Sequence, residues 1–206
     1  MSLRRLSNDD AIYALLHKIA VTVRDGNLVL AELSGIPAGT RREALSRMHE
    51  LTQTADDHAG AVKRQLRENY LTRFDRRLIY RLSEALRAVV HRQDAVGFAM
   101  TSSAFDELPV GVLEMLALLS NQADNTLRMT QRLHAKPDQW EYVDTIETLH
   151  LRAVTLQQQV TDVVPGARVG LTFLAAATSL GAAFIRASDG YKSVAAVIAE
   201  IALDES

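Results

Sequence analysis

Apolar residues recur three or four positions apart along almost the whole chain, the spacing of helices that each bury one face. The first such stripe is Ile12, Leu15, Leu16, Ile19, Val23, Leu28, Leu30 and Leu33. It predicts a helix starting near Ser7 or Asn8, either of which can cap it, with Asp9 and Asp10 at its positive end. Gly26 interrupts that stripe, at a cost of about 1 kcal/mol relative to Ala. Gly35-Ile36-Pro37-Ala38-Gly39-Thr40 should end the first helix and cap a second, expected over Arg41–Asn69 with Leu51, Ala55, Val62 and Leu66 inward. After a corner at Tyr70–Asp75, Asp75 is a good N-cap for a third helix running to about Ser102. Leu78, Leu82, Leu86, Val89 and Val96 share one face of it, and Gln93 alone intrudes on that stripe. Arg77, Glu84, Arg87 and His91 fall on the opposite face.

Thr101–Pro109 is the best mid-chain break. A fourth helix follows to about His134, and Lys136-Pro137-Asp138 turns the chain. A fifth is expected over Gln139–Val163, with Trp140, Val143, Ile146, Leu149 and Val154 inward, and a sixth from Pro165-Gly166 to about Leu203. No stretch alternates with period two long enough for a strand, so the expected class is all-α. The plan repeats: three long helices, a break, three long helices. An elongated bundle of six long helices follows, one domain over residues 1–206 made of two three-helix repeats, about 8–103 and 107–203.

Charge changes the picture only locally. The net charge is −2, yet residues 1–100 carry 16 Lys/Arg against 12 Asp/Glu and residues 101–206 carry 7 against 13. One face is therefore suited to an anionic partner. There is no cysteine, which excludes disulfides and thiolate chemistry. Met1–Arg5 leads into Asn8-Asp9-Asp10 instead of an apolar run, so no signal peptide is read and a cytoplasmic location is expected. Val169–Ile185 is a run of 17 uncharged residues, at the lower edge of a bilayer span. Threonines, serine and glycines dilute it, so it is read as a central bundle helix and the protein as peripheral to a membrane at most.

Three groupings bear on chemistry. Glu147-Thr148-Leu149-His150 has the Glu-x-x-His spacing of di-iron bundles, but no second copy exists, so a solvated pair is expected. Arg73, Arg76, Arg77 and Arg81 crowd the second corner, where guanidinium forks could meet phosphate oxygens or an acidic partner patch. No aromatic interleaving supports a nucleic-acid partner. No phosphate loop, nucleophile elbow or zinc helix is present, which leaves an enzyme reading without residues to carry it.

The corner Leu71-Thr72-Arg73-Phe74-Asp75-Arg76-Arg77 resembles the threonine-proline-phenylalanine-aspartate-arginine corner of the PhoU-like family, with Arg73 in the proline's place. The resemblance is to the phosphate transport regulator branch and extends from about Asn8 to Leu203, including the closing helix at Val194–Ile201. It implies a non-enzymatic, cytoplasmic accessory or regulatory protein of inorganic phosphate transport, acting by protein–protein contact on a Pit-type phosphate transporter. A homodimer is compatible with it. In relatives, acidic pairs spaced four apart on the second and third helices of each repeat bind multinuclear iron or zinc. The matching positions here are Thr52 and Asp56, Arg87 and His91, Glu147 and Leu151, Ile185 and Asp189, so three of eight carboxylates remain. No cofactor is expected, and a single metal ion is the most that Asp56, His91 and Asp189 would allow. The competing reading is a helical bundle binding a metal or anionic ligand in a role unrelated to phosphate.

Overall fold

The structure is a computed structural model that describes residues 3–68, 72–136, 138–162 and 170–204, with the side chains of 3–9 and 159–162 left out of account. Every regular element among the described residues is helical: α1 (Leu3–Gly35), α2 (Ala38–Ala44), α3 (Ser46–Glu68), α4 (Arg76–Met100), α5 (Val112–Arg132), α6 (Trp140–Asp162) and α7 (Leu171–Asp204). Six are long and α2 has seven residues. The expectation of an all-α bundle of six long helices therefore holds.

Contacts between named residues give the helix directions. Asn27 of α1 donates to Leu119 O of α5, and His17 Nδ1 lies 3.3 Å from Thr130 Oγ1, so α1 and α5 run antiparallel. Gln93 of α4 donates to Val23 O, and Gly97 lies beside Leu30 and Leu33, so α4 runs parallel to α1. Between these two, α3 runs the other way: Met48 approaches Gly26, and Asp56 and His49 meet Arg87 and Asp94 of α4. In the second half α6 runs antiparallel to both α5 and α7. The halves are not separate bundles, because α4 makes its most extensive contact with α7, where Val89 and Arg92 lie over Gly190. A single cluster of buried side chains runs through both, including Leu16, Leu86, Leu119, Ile146, Phe184 and Ile198.

The local chemistry explains most boundaries. Asp75 caps α4 as expected, its Oδ1 accepting from Arg77 N at 2.7 Å. Phe74 beside it is buried against the edge of Tyr13, ring centroids 5.7 Å apart. Residues 101–111 form the mid-chain break, and Gly111 opens α5 with φ 91°, a left-handed value that side chains with a Cβ rarely adopt. The Tyr70–Leu71 part of the corner and the Pro165-Gly166 start of the last helix lie outside the described residues.

Several expectations need correction. The backbone of α1 is helical from Leu3, so Ser7 and Asn8 lie inside it; Leu3-Arg4-Arg5-Leu6 are good helix formers that extend it past those candidate caps. The second helix is not continuous from Arg41. It breaks at Leu45, which is buried against Gly97, while buried Arg41 is pinned by a 3.0 Å bond from Nη1 to Phe105 O. Leu28 is 61% exposed, because Asn27 and Gly26 take the inward positions on that turn. Trp140, the first residue of α6, is 41% exposed, and Tyr142 and Val143 are buried in its stead. By length and composition α7 could cross a membrane, a test that the core helix of a soluble protein also passes, and here it buries Leu180, Phe184, Tyr191, Val194 and Ile198 among its neighbours.

Candidate functional site

The sequence-predicted ligand positions of the first half do converge, on the outer seam between α3 and α4. His91 Nε2 lies 2.8 Å from Asp56 Oδ1, and Arg87 Nη1 donates to the same oxygen at 3.0 Å. Arg87 also donates to Glu84 Oε2, at 3.0 Å from Nη2 and 3.3 Å from Nε. Burial alone would raise the Asp56 carboxyl, but the hydrogen bonds and charges of His91 and Arg87 outweigh it and hold the group below its ordinary range. Arg87 is correspondingly pushed up, mainly by its bond to Asp56. Two turns away on the same seam, His49 Nδ1 stands 3.0 Å from Asp94 Oδ1.

Chemically this seam is a cross-helix tie. The oxygen a cation would need is already shared between a guanidinium and an imidazole. Thr52, one helical turn before Asp56, donates its hydroxyl to His49 O at 2.7 Å and contributes no carboxylate. Among the described residues, no three His, Asp or Glu side chains are grouped so as to hold a metal ion.

In the second half the matching positions diverge. Glu147 is exposed, whereas His150 is buried, so this is not the solvated pair expected. His150 Nδ1 lies 3.1 Å from Ser188 Oγ and its Nε2 lies 3.6 Å from Asp189 Oδ1. Burial holds its pKa down, with Lys192 adding to the effect and Asp189 opposing it. Ser188 is fully enclosed and takes a further 3.0 Å bond from Gln122 Nε2, so it is packed as a structural hydroxyl instead of presented as a nucleophile. Leu151 is 67% exposed.

The arginine corner is largely self-satisfied. Arg73 donates to His134 O and lies over the Phe74 ring, Arg76 donates to Leu66 O, and Arg81 forms a two-pronged pair with Glu200 across to α7. Arg77 uses its backbone N–H to close the Asp75 cap, and its exposed guanidinium meets no carboxylate among the described residues. Of the four, Arg81 has its charge met by a carboxylate, Arg73 and Arg76 are held by backbone carbonyls, and Arg77 faces solvent.

Two features escaped sequence reasoning. One is a buried polar line through the bundle centre: the Tyr191 hydroxyl accepts from Asn27 Nδ2 and Gln93 Nε2, each at 3.0 Å. The intrusion of Gln93 on an apolar stripe was the signal for it. The other is a mainly apolar groove of about 730 Å³ between α5 and α6, with Ala117, Leu118, Leu151 and Leu156 in its wall beside Glu114 and Arg152, and with exposed Leu113 on α5.

Neither models of known protein families nor curated proteins match this chain.

Proposed function

We propose that the protein is a non-enzymatic accessory or regulatory protein of inorganic phosphate transport, working at the cytoplasmic face of the membrane by contact with a Pit-type transporter. The corner motif and the closing helix support the PhoU-like reading, as does the order of helices, in which α5, α6 and α7 repeat the directions of α1, α3 and α4. The observation that carries the contact mode is the solvent-open apolar groove between α5 and α6. Two antiparallel helices with Leu118, Leu151 and Leu156 between them suit an amphipathic helix of the partner laid along the seam. Leu151 then contributes apolar contact at a position where relatives spend a carboxylate on metal. Arg77 would meet acidic groups on the partner or on lipid headgroups.

The test is co-purification with the transporter from solubilised membranes, using wild type, Leu151→Glu and Arg77→Glu. Leu151→Glu should abolish capture, and Arg77→Glu should weaken it and flatten its salt dependence. Absence of capture by wild type, or capture indifferent to Leu151→Glu, would overturn the reading. The alternative, a bundle binding a metal or anionic ligand in an unrelated role, draws on the Asp56–His91 pair.

A further inference from the structure

A cavity of about 620 Å³ lies between the end of α4, the start of α3 and the first half of α7, and it shares no lining residue with the α5–α6 groove. Arg42 of α2 and Arg186 of α7 both line it, and neither guanidinium pairs with a carboxylate among the described residues. The carboxylate in its wall is that of Asp94, whose Oδ1 lies 3.0 Å from His49 Nδ1. Two fixed cations thus stand against one carboxylate. The C-terminus of α4 also ends here, and bare helix carbonyls would repel an anion. Two of them are occupied: Phe98 O accepts from Thr101 N at 3.1 Å and Thr101 Oγ1 at 2.8 Å, and Ala99 O accepts from Ser102 N.

The rest of the wall is of another kind. Small residues, Ala95, Ala99, Ala176 and Ala183, leave the space open, and the Phe98 ring stands at the rim, 69% exposed. An inorganic oxyanion would use the guanidiniums and leave the ring and the alanine wall uncovered. The volume falls within the roughly 300–1,000 Å³ of small-molecule sites. We propose that this cavity binds a nucleotide, its phosphates held by the guanidinium forks of Arg42 and Arg186 and its base laid against Phe98. Guanidiniums match phosphate oxygens in pairs, and an aromatic face is a stacking platform for any base.

Isothermal titration calorimetry of the full chain with ATP, AMP, adenosine and inorganic phosphate tests it. ATP and AMP should bind, and adenosine and phosphate should bind at least about tenfold more weakly, each having lost one half of the recognition. Arg186→Glu and Arg42→Glu should each weaken ATP binding by about tenfold or more, and both residues are exposed enough for the variants to fold with unchanged melting curves. Phe98→Ala should weaken AMP while leaving phosphate unchanged. Failure of both nucleotides to bind at millimolar concentration, phosphate binding as tightly as AMP, or affinity unmoved by Arg186→Glu would each overturn the assignment.

Discussion

Gly26 of α1 and Gln93 of α4 occupy one space: a Cβ built on Gly26 would stand 2.4 Å from Gln93 Oε1 and 3.1 Å from its Cδ. Each had been the odd residue of its own stripe, a helix-weakening glycine and a polar intruder, and each explains the other. Gln93 cannot swing aside cheaply, since it is fully buried and its Nε2 donates to Val23 O at 2.9 Å and to the Tyr191 hydroxyl at 3.0 Å. In an open helix Gly→Ala would add about 1 kcal/mol of stability. Here overpacking of about 1–3 kcal/mol opposes it, so Gly26→Ala should leave the protein less stable in urea titration. In a Gln93→Ala background the same substitution should become neutral or stabilising. Additive effects in that double-mutant cycle would show the pair to be uncoupled.

Tyr191 makes the next prediction. Burial pushes its hydroxyl well above the ordinary value, so the group stays neutral and its oxygen remains an acceptor for Asn27 and Gln93. Tyr191→Phe keeps the shape but leaves one N–H on each amide without a partner, a loss of about 1–3 kcal/mol. Tyr142→Phe is the control. Its hydroxyl meets Thr126 Oγ1 at 3.0 Å, and that threonine already donates to Gln122 O at 2.8 Å, so nothing buried is left unpaired. Thermal melts should rank Tyr191→Phe below Tyr142→Phe; the reverse order would show that the central line is not held by Tyr191.

Helix positions were legible because burial repeats with the helical period, and Asp75 was legible because an N-cap is a local bond. What the sequence concealed was set by residues far along the chain. His150 stands four residues after Ile146 on the inward side of α6, but what a polar ring could meet there appears only when Ser188 of another helix is placed beside it. Arg81 reads as a free cation until Glu200, 119 residues later, is placed beside it. Leu28 and Trp140 are as apolar as their buried neighbours, and only the demand of Asn27 and Tyr142 for the inward position turns them out. In the candidate site the meeting of Asp56 with His91 was readable from two facing helices. The apolar groove was not, because one helix wheel does not show which outer leucines another helix will flank.

The Asp56 tie should show in the pH dependence of stability. Its folded carboxyl lies below the ordinary 3.8, so it stabilises the folded state above the unfolded value and loses that contribution as pH falls through the folded one. With 38% of the side chain exposed, solvent screening limits the effect to less than about 1 kcal/mol. Asp56→Asn should therefore lower the urea midpoint slightly at neutral pH, and the gap should close from about pH 4 downward. A gap that persists at pH 2, or one that widens in acid, would mean that the carboxylate charge is not what ties α3 to α4.

Arg87 decides the metal question. Its Nη1 sits 3.0 Å from the Asp56 oxygen that a cation would have to share, and its charge opposes any ion brought there. Removing that charge alone would leave two ligands, Asp56 and His91, which is too few for a closed site. Arg87→Glu changes both terms at once: the cation goes, and a carboxylate arrives one turn before His91, at the position that now reaches Asp56. Equilibrium dialysis against micromolar zinc should then find about one ion per chain in the variant and far less in wild type. A further His91→Ala should remove the gained zinc. Wild type purified without chelator or metal-affinity tag that carries two or more iron or zinc atoms, lost on Asp56→Ala, would show that the guanidinium yields its place and that the seam is a metal centre after all.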